Sequence, residues 1–263
     1  MYSRFKINKS VFDNFTFSPF DKTKGEQLKR SYIENIKYDL KIKLIGENII
    51  DGTETQKEWF PNINADIFLS HSHKDLEKAN KFAGWIKNNF NLDVFIDSNL
   101  WGDSNKLLKE IDNEICYQKK SNTYDYEKRN FTTSHVHMML SNSLAEMIDK
   151  TECIMFLETP NSVSVHNTIK HTESPWIYNE LFLSSIIRID EKLIRRKTKT
   201  FSTTLRKAMN LDEDARFKYK LDLSHLIDLE DRDLIDWKNN YDTVKTNENI
   251  HPLDLLYNKK IYL

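Results

Sequence analysis

Trp176 and Glu180 stand four residues apart in a segment that reads as a helix, so both side chains project from one face. A carboxylate beside an aromatic wall suits a sugar that develops positive charge. The acid steadies the oxocarbenium-like ring and holds its hydroxyls, and the indole keeps water out. An ordinary glycosidase needs a second carboxylic acid to protonate its leaving group. A leaving group that already carries positive charge needs no proton, and one acid is then adequate. The plainer alternative is a core tryptophan next to a surface acid.

Ser70, His71, Ser72 and His73 fall in a loop after an apolar run. They are placed to hydrogen-bond ribose or phosphate oxygens, and the helix start that follows favours anions. Ser72 with Asp75 three residues on also reads as a helix-capping signal, with the histidines facing solvent. Asp97 ends a second apolar run; it either lines the same pocket or caps the next turn. Trp101 and Gly102 follow, as a partner surface or as a buried anchor. His71, His73, His135 and His137 invite a metal reading. However, His135 and His137 are two apart on a helix and diverge, and no carboxylate cluster completes a set, so no metal is expected. No Gly-x-Gly-x-x-Gly or P-loop occurs. Cys153 lies in an apolar strand and reads as inert core.

The elements that must hold these residues alternate. Residues 66–70 (Asp-Ile-Phe-Leu-Ser) read as a buried parallel strand. Leu76, Ala79, Ala83, Ile86 and Phe90 then paint one face of a helix. Residues 92–97 and 153–157 read as further strands, and 106–116, 134–150 and 175–187 as helices, with Pro175 suited to a first turn. Residues 118–133 read as an inserted polar loop. Residues 217–223 read as a strand and 229–241 as a closing helix. The basic stretch 192–207 is either helix or loop. Leu28, Tyr32, Ile36 and Leu40 place a helix over residues 25–44, outside the α/β unit.

Three segments together resemble TIR domains. They are residues 66–75 (Asp-Ile-Phe-Leu-Ser-His-Ser-His-Lys-Asp), 94–102 (Val-Phe-Ile-Asp-Ser-Asn-Leu-Trp-Gly) and 174–181 (Ser-Pro-Trp-Ile-Tyr-Asn-Glu-Leu). The third is similar to the Trp-x-x-x-Glu signature of the NAD-cleaving members. The resemblance covers residues 64–240, and the polar insertion with the His-Ser-His loop looks most like bacterial members that serve anti-phage systems such as Thoeris. It implies an α/β, flavodoxin-like domain: a central parallel sheet flanked by helices, with the site at the carboxyl ends of the strands. An N-terminal helical extension lies outside it. The implied organisation is an extension over 1–62, the TIR-like domain over 63–245 and a C-terminal segment over 246–263 packed on it.

The activity so implied is NAD glycohydrolase or cyclase chemistry, giving nicotinamide and an ADP-ribose-derived product that serves as a defence signal. Glu180 is then catalytic, and Ser70, His71, Ser72, His73, Asp97, Trp101 and Trp176 bind substrate. NAD is substrate rather than cofactor. The implied partners are further copies of the chain on activation and a downstream effector that responds to the product. A non-catalytic scaffold acting by self-association, or a deoxyribosyltransferase-like enzyme on the same topology, are the competing readings.

Composition restricts the alternatives. Among 263 residues, 39 basic and 40 acidic side chains nearly balance, so charge does not point to nucleic acid. Two cysteines make no disulfide framework and suit a reducing, cytoplasmic compartment. The first twenty residues lack the apolar run of a signal peptide, and no stretch is apolar enough to span a bilayer. No membrane is expected as a partner.

Overall fold

The apolar runs are buried on both faces, as strands of a parallel sheet covered by helices must be. A computed structural model of the chain describes residues 3–34, 44–46, 49–101, 104–166, 169–189, 217–246 and 250–261. In chain order the elements are β1 (Ser3–Asn8), α1 (Lys9–Asn14), α2 (Pro19–Glu34), the antiparallel pair β2 (Leu44–Gly46) and β3 (Ile49–Ile50), and α3 (Gly52–Trp59). There follow β4 (Ile67–Ser70), a 3₁₀ turn (His73–Asp75), α4 (Leu76–Phe90), β5 (Val94–Phe95), α5 (Asp97–Leu100) and α6 (Ser104–Ile111), which runs into a π-helical turn (Asp112–Cys116). The hairpin β6 (Tyr117–Gln118) and β7 (Thr123–Tyr124) leads to α7 (Tyr126–Lys150), β8 (Cys153–Glu158), β9 (Ser164–His166), β10 (Ile169–Thr172) and α8 (Pro175–Ile186). The chain continues through β11 (Tyr219–Lys220), β12 (Ile227–Leu229), α9 (Asp231–Val244) and α10 (Pro252–Lys260).

The central sheet has five parallel strands in the order β12-β1-β8-β4-β5. Side chains alternate across it, as the two-residue period dictates. Phe5, Ile7, Ile67, Leu69, Val94, Cys153, Met155 and Leu157 face α4, α9 and α10. Phe68, Phe95 and Ile154 face α6 and α7 on the other side, and Phe156 meets Ile177 and Leu181 of α8. The expectation of an α/β fold with a central parallel sheet flanked by helices is met.

The N-terminal segment departs from its expected place outside the α/β unit. β1 pairs with β8 from Ser3↔Cys153 to Asn8↔Glu158 and with β12 on its other side, so it is an interior strand. Phe5, Ile7 and Val11 are fully buried. At about 1.5–3 kcal/mol for each such side chain, they are a large fraction of a typical domain stability of roughly 5–15 kcal/mol. α2 packs along α4, where two glycines allow the backbones to touch. A Cβ on Gly25 would collide with the Asn80 carbonyl, and one on Gly84 with the Asp21 carbonyl. Asn99 of α5 donates to Asn80 at 2.6 Å at the same corner.

Other differences are local. Residues 118–133 are not a loop: they form most of the β6–β7 hairpin and the first two turns of α7, opened by Asp125, whose carboxylate accepts from the Lys128 amide at 3.0 Å. Those turns are polar and largely exposed, so no apolar stripe marked them. The strand expected over 92–97 is cut to β5, because Asp97 already opens α5. The strand expected over 217–223 is only β11, which joins β10 and β9 in a separate antiparallel sheet. Residues 227–229 become the edge strand β12 ahead of α9. Helix α2 is described as far as Glu34, and Leu44, the last residue of the helix expected over 25–44, lies in β2; residues 35–43, the basic stretch 192–207 and Gly102 lie outside the described residues. Among the described residues, no helix is long and apolar enough to cross a membrane.

Candidate active site

β4 is buried along its whole length and delivers Ser70 to the carboxyl edge of the sheet. Ligands of open α/β sheets gather at that edge. The loop then turns inward: Ser70, His71 and Ser72 are all buried, and His73 is exposed with its ring packed edge-on against His71. Ser72 does not cap with its side chain. The turn closes through its carbonyl, which accepts from the Asp75 amide at 2.7 Å.

Asp75, read from sequence only as half of a capping signal, is a buried hub. Its carboxylate accepts from Thr159 Oγ1 at 2.5 Å, from Asn161 Nδ2 at 3.0 Å and from Lys78 Nζ at 2.9 Å. Burial alone would raise its carboxyl, but these bonds outweigh it and hold the group below its usual range. Thr159 and Asn161 follow β8, so Asp75 fastens the loop after β4 to the loop after β8.

α8 brings the acid. Ser174 accepts from the Ile177 amide with its side chain, Pro175 occupies the first turn, and Trp176 and Glu180 follow one turn apart. Glu180 is only 3 % exposed. Ser70 Oγ donates to Glu180 Oε2 at 2.5 Å, the one hydrogen bond recorded on that carboxyl among the described residues. Burial, then the nearby negative charge of Asp97, push the Glu180 carboxyl well above the ordinary carboxylate range, and the Ser70 bond offsets this only in part. A carboxyl with that environment at the carboxyl edge of a sheet is the kind of group that carries chemistry.

Asp97 is partly buried at the start of α5, 3.9 Å from His71 Nδ1. His71 Nε2 lies 3.0 Å from Ser98 Oγ, while Nδ1 has no hydrogen-bond partner. Burial lowers the imidazole's affinity for a proton, with Asp97 opposing. The neutral ring is therefore a fixed hydrogen-bonding wall rather than a cation.

Of the residues expected to bind substrate, Ser70 and Asp97 neighbour Glu180, His71 adjoins Asp97, and Ser72 and His73 continue the same loop. Trp176 stands at the flank, half-buried, edge-on to His137 at 5.3 Å. Trp101 goes elsewhere. Its indole donates to the Pro61 carbonyl at 3.0 Å and packs on Phe60 and Phe95. These contacts make it an anchor of its loop, half-buried against the apolar corner beside α3. The Asp75–Thr159–Asn161 clasp, Ser98, and the Asn179–Ser141 bond that ties α8 to α7 at 3.0 Å had no legible signal, since each pairs residues distant in sequence.

Four cavities bounded by described residues do not include Glu180 in their walls. The most spacious, about 580 Å³, lies at the carboxyl ends of β1 and β8 and is lined by Asn8, Lys9, Glu158, Thr159 and Ser164 among others. It shares Thr159 with the clasp. The Glu180 carboxyl itself is closed off from solvent, with Ser70 against it. His135 and His137 contribute to no metal-ligand grouping; among the described residues the one such set is Glu152, His251 and Asp254, at the amino end of the sheet. Cys153 is fully buried, and burial pushes its thiol up, which leaves it unreactive. Compared with protein-family models, with curated proteins and with solved structures, the chain matches none, so the reading of this site rests on its own residues and geometry.

Proposed function

We propose that the chain is a TIR-like enzyme that cleaves the bond between ribose and nicotinamide in NAD, with Glu180 as its catalytic acid group. The observation that carries this reading is the buried Glu180 carboxyl at the carboxyl edge of a parallel sheet, held by Ser70 and raised by its surroundings, where the Asp75 carboxyl nearby is lowered. A cationic nicotinamide ribose entering beside Glu180 brings a positive charge against the carboxyl. Coulomb attraction then favours the ionised acid, and its proton is released. The carboxylate steadies the oxocarbenium-like ribose as the bonding pair leaves with the ring nitrogen. His71 and Ser70 offer hydrogen bonds to ribose hydroxyls, and Trp176 screens the flank. Water, or a nucleophile of the same nucleotide, then bonds to the ribose C1′ and gives up its proton, leaving nicotinamide and an ADP-ribose-derived molecule that acts as a defence signal.

Because Glu180 is closed off, turnover requires an opening between α8 and the loop after β4, and self-association is the proposed driver. The experiment is incubation of purified protein with NAD, alone and under conditions that promote assembly, with nicotinamide release followed by chromatography and the product identified by mass spectrometry. Wild type turns NAD over and Glu180→Ala does not. Equal inactivity of both under every assembly condition overturns the enzyme reading.

The scaffold reading draws on a different observation. Tyr117 and Tyr124 of the β6–β7 hairpin and Phe131 of α7, 67 % exposed, offer apolar surface that Trp101 does not. NAD turnover lost on Glu180 substitution excludes a purely non-catalytic role.

A further inference from the structure

At the amino end of β8, opposite the site, Glu152, His251 and Asp254 converge: one oxygen or nitrogen of each lies within 4.8 Å of the others. Glu152 directly precedes β8. His251 and Asp254 are the N-cap and first-turn residues of α10, whose Leu253, Leu256 and Tyr257 are buried in the core. We infer that these three side chains form a divalent-cation site, of the zinc type, that clamps α10 to the start of β8.

Three observations carry this. His251 Nδ1 is buried and has no hydrogen-bond partner. It lies 3.7 Å from Glu152 Oε1, too far for the hydrogen bond that a simple ion pair would make. Such a pair would also leave Asp254 beside Glu152 without a counter-charge, at a half-buried corner where the Glu152 side chain is 20 % and the His251 side chain 41 % exposed. The Tyr257 hydroxyl, one turn beyond Asp254 in a residue 3 % exposed, lies beside the Glu152 carboxylate. It can support one Glu152 oxygen while the other binds a cation, the usual outer support of a metal-bound carboxylate.

The donor set selects the cation. One imidazole with two carboxylates suits zinc or a neighbouring first-row ion better than calcium or magnesium, which prefer all-oxygen shells. Bonds of about 2.0–2.2 Å set ligand atoms roughly 3.4 Å apart in a tetrahedron, so the three groups must close slightly through side-chain rotation. Water completes the shell. The site lies at the far end of the sheet from Glu180, so its role is to fix the C-terminal helix and not to act on substrate.

The test uses the full chain stripped with a chelator and then titrated with Zn²⁺. Metal content after desalting, the melting temperature, and the visible spectrum with Co²⁺ in place of Zn²⁺ are read. Wild type retains one equivalent, gains several degrees in melting temperature because a ligand that binds only the folded state stabilises it, and gives a Co²⁺ spectrum of low-coordinate type. His251→Ala and Asp254→Asn lose the retained metal and the thermal gain, with helical content by circular dichroism unchanged. Tyr257→Phe binds more weakly, and His135→Ala behaves as wild type. Should a variant fail to fold, the wild-type stoichiometry and Co²⁺ spectrum still decide. No retained metal, or an equal thermal gain in His251→Ala and Asp254→Asn, overturns the site.

Discussion

Ser70 Oγ and Glu180 Oε2 lie 2.5 Å apart, although 110 residues separate them in the chain. The bond joins the last residue of β4 to the middle of α8 and is the point where the sheet and the helix layer define the site. A serine there does two things. It donates to the acid, which opposes the upward shift of its carboxyl, and it fixes the rotamer that faces the sheet edge.

Glu180→Gln removes turnover and at the same time stabilises the fold. A folded-state carboxyl raised above its unfolded value contributes stability below about pH 4.5 that is lost as pH rises through the folded value. Glutamine keeps the shape and an acceptor for Ser70 without that loss. Thermal unfolding near neutral pH should show the variant more stable by about 1 kcal/mol, or roughly 2–4 °C for a domain of this size. The gap should widen from acid to neutral pH; a variant less stable than wild type at pH 7 contradicts the raised carboxyl.

NAD turnover should increase with pH on its acid limb. In the proposed mechanism the ionised acid is the active form, so kcat/KM should fall as pH drops through the raised Glu180 value. Binding of NAD should release a proton, which calorimetry in buffers of different ionisation enthalpy detects. Ser70→Ala removes the opposing bond and should move the limb to higher pH.

Asp75→Ala should cost about 2–4 kcal/mol, since it strands Thr159, Asn161 and Lys78 around a buried void. Asp75→Asn keeps the shape and should cost less. Chemical denaturation measures both. If the clasp sets the site, NAD turnover by Asp75→Asn should drop more than its stability loss explains.

His225 supplies an acid-sensitive point away from the site. Its Nε2 lies 2.9 Å from Ser184 Oγ of α8, and burial, with Arg4 adding to it, lowers the imidazole to about 4. The unfolded chain binds a proton there near pH 6.5 and the folded chain does not, so stability present above pH 6.5 is lost as pH falls towards 4. His225→Gln should flatten that part of the stability profile; an unchanged profile shows that other groups govern it.

Much of the fold was legible because it rests on local periodicity. The apolar runs around Ile67 and Ile154 and the 3.6-residue face of α4 are properties of short segments, and packing only had to agree with them. The strands Ser3–Asn8 and Ile227–Leu229 were not legible. Each mixes charged and apolar residues, and each becomes a strand by pairing with residues more than a hundred positions away. The start of α7 was hidden for the opposite reason: its first turns face water and carry no apolar stripe.

The sequence by itself determined the parallel α/β core, the helix that sets Trp176 and Glu180 one turn apart, and the loop that carries Ser70 and His71. These follow from backbone geometry and side-chain spacing. Only the tertiary structure decided that Ser70 holds Glu180, that Asp75 binds the loops after β4 and β8, and that Trp101 is an anchor. It also decided that Glu152 meets His251 and Asp254. Each of these depends on burial and on contacts between distant segments, and such contacts form only when the whole core closes.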